Sequence, residues 1–388
     1  VDAAESLQSS AYLDICHSTR SLGHRSRAAM SAFGGAFGAG AGAAGGHNPN
    51  KDTEVASPPT DSISSLCFSP KANHLIATSW DNYVRCWEVT PQQGPGGVVP
   101  QSVPKAAVQH SDPVLCSAWH PDGAVVFSGG CDKQAKMWTL ATNQQQQVAA
   151  HNAPIKELAY VPEMNCLITG SWDKTIKYWD LRQSNGTPIH TQQMPERVYA
   201  MSVNYPLMVV GTADRQLQVF NLTSPQTVYK QLQSPLKYQT RCVTCFPDKN
   251  GYLVGSIEGR VAVQHVEDNM SSKNFTFKCH RVDNHEIYPV NSVAFHPKYH
   301  TFVTAGGDGT FNFWDKDSKQ RLKAMARCNN SIPACCFNND GSLYAYAVSY
   351  DWSRGYSEYN PTTARHYIML HLTQDAEVKN RSKTAGRK

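Results

Sequence analysis

Charge is scarce in this chain: Asp, Glu, Lys and Arg make up 17% of 388 residues, which suits sheet that is buried on both faces. No apolar run reaches the roughly 18 residues that span a bilayer as a helix, so no membrane insertion is expected. A nucleophilic serine would need a strained G-x-S-x-G elbow, and none occurs. A glycine-rich phosphate loop is missing too. Structural zinc wants four converging ligands, whereas the one C-x-x-C here is Cys242 with Cys245, on a predicted strand whose residues three apart face opposite ways. The twelve cysteines make no disulfide framework in a chain this long. Most sit inside predicted strands, such as Cys86, Cys116, Cys166 and Cys335, where a free thiol behaves as a small apolar group. These absences predict a soluble protein of a reducing compartment, with no catalytic residues, cofactor or metal.

What the chain has is repetition. The phrase "GSWDKTIKYWDL" from Gly170 returns as "TSWDNYVRCWEV" from Thr78, "GGCDKQAKMWTL" from Gly129, "GTADRQLQVFNL" from Gly211 and "GGDGTFNFWDK" from Gly306. An acid precedes an aromatic by six positions in each: Asp81 and Trp87, Asp132 and Trp138, Asp173 and Trp179, Asp214 and Phe220, Asp308 and Trp314. A weaker copy from Gly255 keeps Glu258 but has Gln264 in the aromatic place. A period of about 40 to 50 residues signals a solenoid or propeller. Short runs rich in Val, Ile and aromatics, bounded by turn formers, precede each copy and read as strands. A further set at "IPACCFNNDG", "LYAYAVSYD" and "HYIMLHL" completes seven units.

The expected fold is therefore all-β, a seven-bladed propeller over residues 51–373. Each blade is sandwiched between two others, and closing the ring removes the two apolar ends that a linear stack would expose. Lys51 to Val55 is expected to supply an outer strand to the last blade. Residues 1–50 include a Gly/Ala/Phe-rich stretch too poor in large side chains to build a core, and disorder is expected there. Residues 374–388 read as a basic, solvated tail.

The types Ser, His and Asp in one repeat raise the question of a catalytic triad. Because every candidate recurs blade after blade, His151, Ser171, Asp173 and Trp179 are read instead as a buried polar chain whose donors and acceptors satisfy one another. His110 takes the same place for Asp132. Between Asn274 and Lys323 a second pattern appears, with Phe275, Phe277, Lys278, Arg281, Trp314, Lys316, Lys319, Arg321 and Lys323 close in sequence. Aromatics interleaved with cations suit single-stranded nucleic acid, and equally suit ordinary strand residues beside a solvated rim. A net charge of +5 permits acidic partners without specifying one.

The repeats resemble WD repeats, and the span from His47 to about Thr373 is similar to the messenger-RNA export propellers of the nuclear pore. The strings that carry this are "SWDNYVRCWEV", "SPLKYQTRC", "GSIEGRVAV", "NFTFKCHR", "FNFWDKDSKQRLK", "ACCFN" and "SYDWSRGYSEYNP". Mitotic checkpoint propellers, which bind kinase segments at kinetochores, share several of them. The Gly/Phe-rich start, "HNPNKD" and the "YDWSRG" insertion resemble the export family, whose text begins at Met30. The resemblance implies a non-enzymatic adaptor, monomeric within a complex, that sits at the nuclear envelope and shuttles to the cytoplasm. It implies single-stranded RNA or mRNA on the rim of Phe275, Phe277, Lys278, Trp314, Lys316, Lys319, Arg321 and Lys323. It also implies a nucleoporin GLEBS segment on one face, with acidic groups near Arg260; Trp80 and Trp172, expected to be more exposed than the strand tryptophans, are candidate contacts. Trp179 to Arg182 is similar to the W-D-x-R box by which some propellers dock to a cullin-RING ubiquitin ligase adaptor.

Overall fold

Each repeat folds into a four-stranded antiparallel sheet, and seven such sheets follow one another in the computed structural model, which describes residues 46–94, 97–183, 186–282 and 285–381. Blade 1 runs from strand Ile63–Phe68 to Gly97–Gln109, blade 2 from Val114–Trp119 to Gln144–Ala150, and blade 3 from Ile155–Val161 to His190–Gln193. Blade 4 spans Val198–Asn204 to Val228–Gln233, blade 5 Thr240–Cys245 to Phe275–Lys278, and blade 6 Val290–Phe295 to Gln320–Ala324. Blade 7 has Cys335–Phe337, Leu343–Val348 and Tyr367–Leu372, with Thr53–Glu54 paired antiparallel to the last of these. The chain therefore closes its ring as expected, by lending a segment from its start to its final sheet. The expected disorder of the opening stretch falls, up to residue 45, outside the described residues.

Packing explains the near-continuous apolar runs. The second strands Cys166–Ser171, Leu207–Thr212, Gly251–Ser256 and Leu343–Val348 are buried at every position. Their alternate residues feed separate cores: Ile168 packs between blades 3 and 4, while Leu167 packs between blades 2 and 3. Among the described residues seven such cores lie between adjacent sheets, including one of Val55, Leu75, Trp87, Ala345 and Leu370 that joins blade 7 to blade 1. The first strands line a central cavity of about 270 Å³.

The recurring acid has a local job. Asp81, Asp132, Asp173, Asp214 and Asp308 each accept the backbone N–H two residues on, at 3.1, 3.2, 3.0, 3.4 and 3.1 Å. The residue between is left-handed in every case: Asn82, Lys133, Lys174, Arg215 and Gly309 have φ of 65 to 76°. A carboxylate that closes the turn offsets the cost of that conformation in non-glycine residues.

The buried polar chain forms, with one member corrected. His151 joins Asp173 through Nδ1 at 2.9 Å and Thr169 through Nε2 at 2.7 Å, and the Trp179 indole N–H donates to the same Thr169 hydroxyl at 2.8 Å. The hydroxyl in the chain is Thr169, two residues before Ser171 on the strand. Ser171 donates to the Pro154 carbonyl at 2.9 Å and accepts the Asp173 N–H at 3.1 Å, so it fastens the turn instead. Blade 6 repeats the arrangement with His280, Asp308, Thr304 and Trp314. In blade 2, His110 bridges Asp132 and Ser128, both at 2.8 Å, which reproduces the order of a catalytic triad. Ser128 is 1% exposed, so the arrangement is structural. Burial pushes the His151 imidazole down despite its carboxylate; burial also opposes ionisation of Asp173, yet His151 and Thr175 hold that carboxyl well below the usual range.

Cysteine geometry follows strand alternation. Cys242 packs with Val290 toward blade 6, while Cys245 contacts Ser202 toward blade 4. Burial pushes the thiols of Cys67, Cys86, Cys242, Cys245 and Cys328 up to about 12, which makes them poor nucleophiles.

The tail departs from expectation. Residues 374–381 are docked: the short helix Asp375–Val378 buries Val378, whose carbonyl accepts the Thr301 hydroxyl at 2.6 Å, and Arg381 donates to the Leu322 carbonyl at 3.0 Å. Residues 382–388 lie outside the described set. Composition misled because one apolar side chain and one histidine suffice to dock the helix. His371 lies between Asp52 at 2.7 Å and Glu377 at 2.9 Å, and Asp52 also accepts the Tyr346 hydroxyl at 2.7 Å. One imidazolium thus ties the first segment and the last helix to blade 7.

This packing sets the pH dependence of stability. Burial lowers the His371 pKa, but the Asp52 and Glu377 carboxylates outweigh it and raise it to about 9. The stabilisation is full below the unfolded value of about 6.5 and is lost as pH rises through 9; a shift of this size corresponds to roughly 3 kcal/mol. Urea unfolding from pH 6 to about pH 10 should show that decline, and His371→Gln should flatten it. Thr169→Val strips partners from His151 and Trp179 and should cost about 1–3 kcal/mol in the same assay.

Candidate functional site

Blade 5 breaks the turn rule, and the break builds a charged site. Its acid is Glu258, one methylene longer than aspartate, followed by Gly259 with φ of 60°. A side chain at Gly259 would lie 2.7 Å from the Cys279 carbonyl oxygen, so glycine is required by space as well as by conformation. The Glu258 carboxylate accepts the Lys237 N–H at 2.9 Å, as Asp81 and Asp173 accept the N–H 21 residues back, and holds Arg260 Nε at 3.4 Å. Arg260 lies directly across the strand pair from exposed Lys278. Like charges in that position repel, and Glu258 offsets only part of the repulsion. Arg281 closes the group by donating to the Glu258 and Gly259 carbonyls. The result is a cationic patch with one acid, suited to carboxylates.

Lys278 therefore belongs with Arg260 and not with the phenylalanines. Phe275 and Phe277 face blade 6, and Lys278 alternates to the other side of the strand. Sequence proximity grouped residues that the pleat separates.

On that same side of the ring the turns of blades 1, 3 and 7 converge. Trp80, Trp172 and Trp352 gather with Leu115 and Cys131 into one apolar cluster at the mouth of the central cavity. Trp80 and Trp352 lie 4.9 Å apart, and Tyr350 and Tyr359 brace Trp352. Trp80 and Trp172 are each 7% exposed, against 1% for Trp87 and 0% for Trp138. They are more accessible than those two strand tryptophans but less so than half-buried Trp314, so the expectation holds only in part, and both are buried within the cluster they share. Trp352 was missed as a face residue; the "YDWSRG" insertion, an aromatic and an arginine where other blades have a tight turn, is the signal that could have located it.

The opposite end of the groove between blades 5 and 6 gathers most of the aromatic and basic residues of the sequence pattern. Phe277 lies 4.7 Å from Trp314 and 6.2 Å from Phe275, a ladder of half-buried rings. Lys319 Nζ sits 4.7 Å over the Phe275 ring, Arg321 is 5.9 Å over Trp314, and Lys316 is 5.2 Å over Phe246. Cations on ring faces hold each other in place and leave ring edges and charges in the same groove. Lys316 is also paired with Asp317 at 2.8 Å, so Lys319 and Arg321 carry most of the unopposed charge. Lys323 does not join them. A bulge between Phe313 and Trp314 puts Arg321 opposite Trp314, on the blade 5 side, and Lys323 opposite Phe313, on the blade 7 side.

At Trp179 to Arg182, the indole is 3% exposed and bonded to Thr169, while Arg182 closes on Asp180 at 2.7 and 2.9 Å. Among the described residues no group of His, Cys, Asp and Glu is placed to hold a metal ion.

Known proteins match this architecture. The WD domain, G-beta repeat family matches residues 53–88, 104–139, 142–180 and 272–315. Those stretches cover most of blades 1, 2, 3 and 6 and the last strand of blade 5; blade 4 lies outside them although its Asp214 closes the turn. Protein RAE1 of Arabidopsis thaliana is 62% identical over 340 residues, covering 88% of this chain and 96% of that relative. The Poly(A)+ RNA export protein of Schizosaccharomyces pombe is 49% identical over 337 residues, covering 86% and 94%. The mRNA export factor of Danio rerio is 47% identical over 374 residues, covering 91% and 100%. Identity of this extent across the ring, with the turn and groove residues inside it, shows that the chain belongs to the WD-repeat family of messenger-RNA export factors.

Proposed function

We propose that this protein is a non-enzymatic scaffold of messenger-RNA export that works at the nuclear envelope and shuttles to the cytoplasm. In this reading it holds single-stranded RNA in the groove between blades 5 and 6. The carrying observation is the ladder Phe275, Phe277 and Trp314 with Lys319 and Arg321 on its rings: stacking platforms and phosphate neutralisation in one groove are what single strands need.

The second surface is the face around Arg260 and Lys278. A nucleoporin segment of the GLEBS kind, with acidic side chains for these two cations and apolar ones for the rim of the tryptophan cluster, suits this face. Arginine can grip a carboxylate with two parallel bonds, and Glu258 is the placeholder it would exchange. RNA groove and face open on opposite sides of the ring, so both partners bind at once. A ligase-adaptor role through Trp179 to Arg182 draws less support, since both ends of that box are already engaged within the chain.

Lys319→Glu with Arg321→Glu should weaken binding of an oligouridylate and lower the slope of log affinity against log salt by about 0.7 for each phosphate no longer neutralised; unchanged affinity and slope would move RNA elsewhere. Arg260→Glu should weaken binding of an acidic nucleoporin peptide, measured by calorimetry, at least tenfold, and should leave oligouridylate affinity within twofold.

A further inference from the structure

Blade 6 ends in the strand Gln320–Ala324, the outer edge of its sheet. In a regular strand Arg321 and Lys323 would share a face. A bulge at Leu322, between them, breaks that parity: Arg321 lies beside Trp314 in the groove toward blade 5, and Lys323 beside Phe313 toward blade 7. A bulge is a way of re-aiming side chains at a sheet edge, and here it distributes positive charge to both sides of one strand. Between the two, the Leu322 carbonyl accepts the Arg381 guanidinium at 3.0 Å, which adds a third cation on the edge itself.

We infer that the nucleic-acid site does not end in the groove between blades 5 and 6 but continues over the edge of blade 6, along Arg321, Arg381 and Lys323, into the groove toward blade 7. The inference rests on the RNA reading of the first groove and adds a second segment to it. The docked C-terminal residues thereby become part of the binding surface. Of the carboxylates nearby, Glu377 is paired with His371 at 2.9 Å, and Asp375 is turned to the Tyr299 hydroxyl at 2.8 Å. The ligand is a single strand long enough to wrap the edge, recognised there through its phosphates.

The test compares a short and a long oligouridylate, of about 6 and about 15 nucleotides, by fluorescence anisotropy over a salt series. Lys323→Glu with Arg381→Glu should leave the short oligomer unaffected, weaken the long one about tenfold, and lower its salt slope by about 1.4, the value for two phosphates left without a cation. Equal affinity for the long oligomer, or an equal loss for both lengths, would overturn the inference. Lys323→Gln with Arg381→Gln, checked by thermal unfolding, should show the same length dependence with a smaller loss; absence of that dependence there would also overturn the inference. Lys319→Glu with Arg321→Glu tests the underlying reading separately, because it should weaken both lengths. If it weakens neither, RNA does not occupy the first groove at all.

Discussion

Every sheet in this ring is apolar on both sides, so no blade is stable without two neighbours, and the last neighbour has to be supplied by closure. Closure rests on a pair of residues, Thr53 and Glu54, hydrogen-bonded to the last strand of blade 7. So short a ladder carries little by itself. It is reinforced by Val55 in the core between blades 7 and 1 and by Asp52 on His371 and Tyr346. The ionic and apolar contacts flank the strand on both sides and turn a marginal pairing into a latch. The face, the groove and the edge of blade 6 all presuppose that latch, because each is built from neighbouring blades held in register.

The repeat supplies stability, and departures from it build the surfaces proposed above for partners. Five blades use aspartate to close a turn, and in blades 1, 2, 3 and 6 the same carboxylate also holds a cation or a histidine, Arg85, His110, His151 and His280. Blade 5 uses glutamate and glycine, and its carboxylate spans the Lys237 N–H and Arg260. Blade 7 lacks the short turn and carries the insertion with Trp352 over the cavity mouth. Blade 6 keeps the full polar chain and yet places the outer face of Trp314, the member nearest the surface, against Phe277. One tryptophan there serves the interior through its N–H and the groove through its ring.

Much of this was legible in the sequence for a physical reason. Repeated spacing of acid and aromatic fixes turn and strand together, so the number of blades, their boundaries and the latch followed from counting. The polar chain was legible in its residue types but not in its members: Thr169 and Ser171 are both hydroxyls on one strand, and only the fold tells which reaches His151. The groove was legible where it depended on local pattern, as at Phe275 and Phe277. It was not legible at Lys278 or Lys323, where alternation and a bulge decide the side of the sheet. The docking of residues 374–381 was hidden because Val378, Asp375 and Arg381 find their partners Thr301, Tyr299 and Leu322 far back in the chain, and composition reads only neighbours.

Both ends of the propeller converge on blade 7, and this gives the ring a direction of mechanical weakness. Tension applied between the two ends loads the ladder of Thr53 and Glu54 one bond at a time, as a zipper, while the strands within other blades are shielded by their neighbours. Force applied at the groove between blades 5 and 6 would load the ring elsewhere, across broad apolar interfaces that resist shear. The same ring is thus robust to force at that groove and yielding to force on its termini.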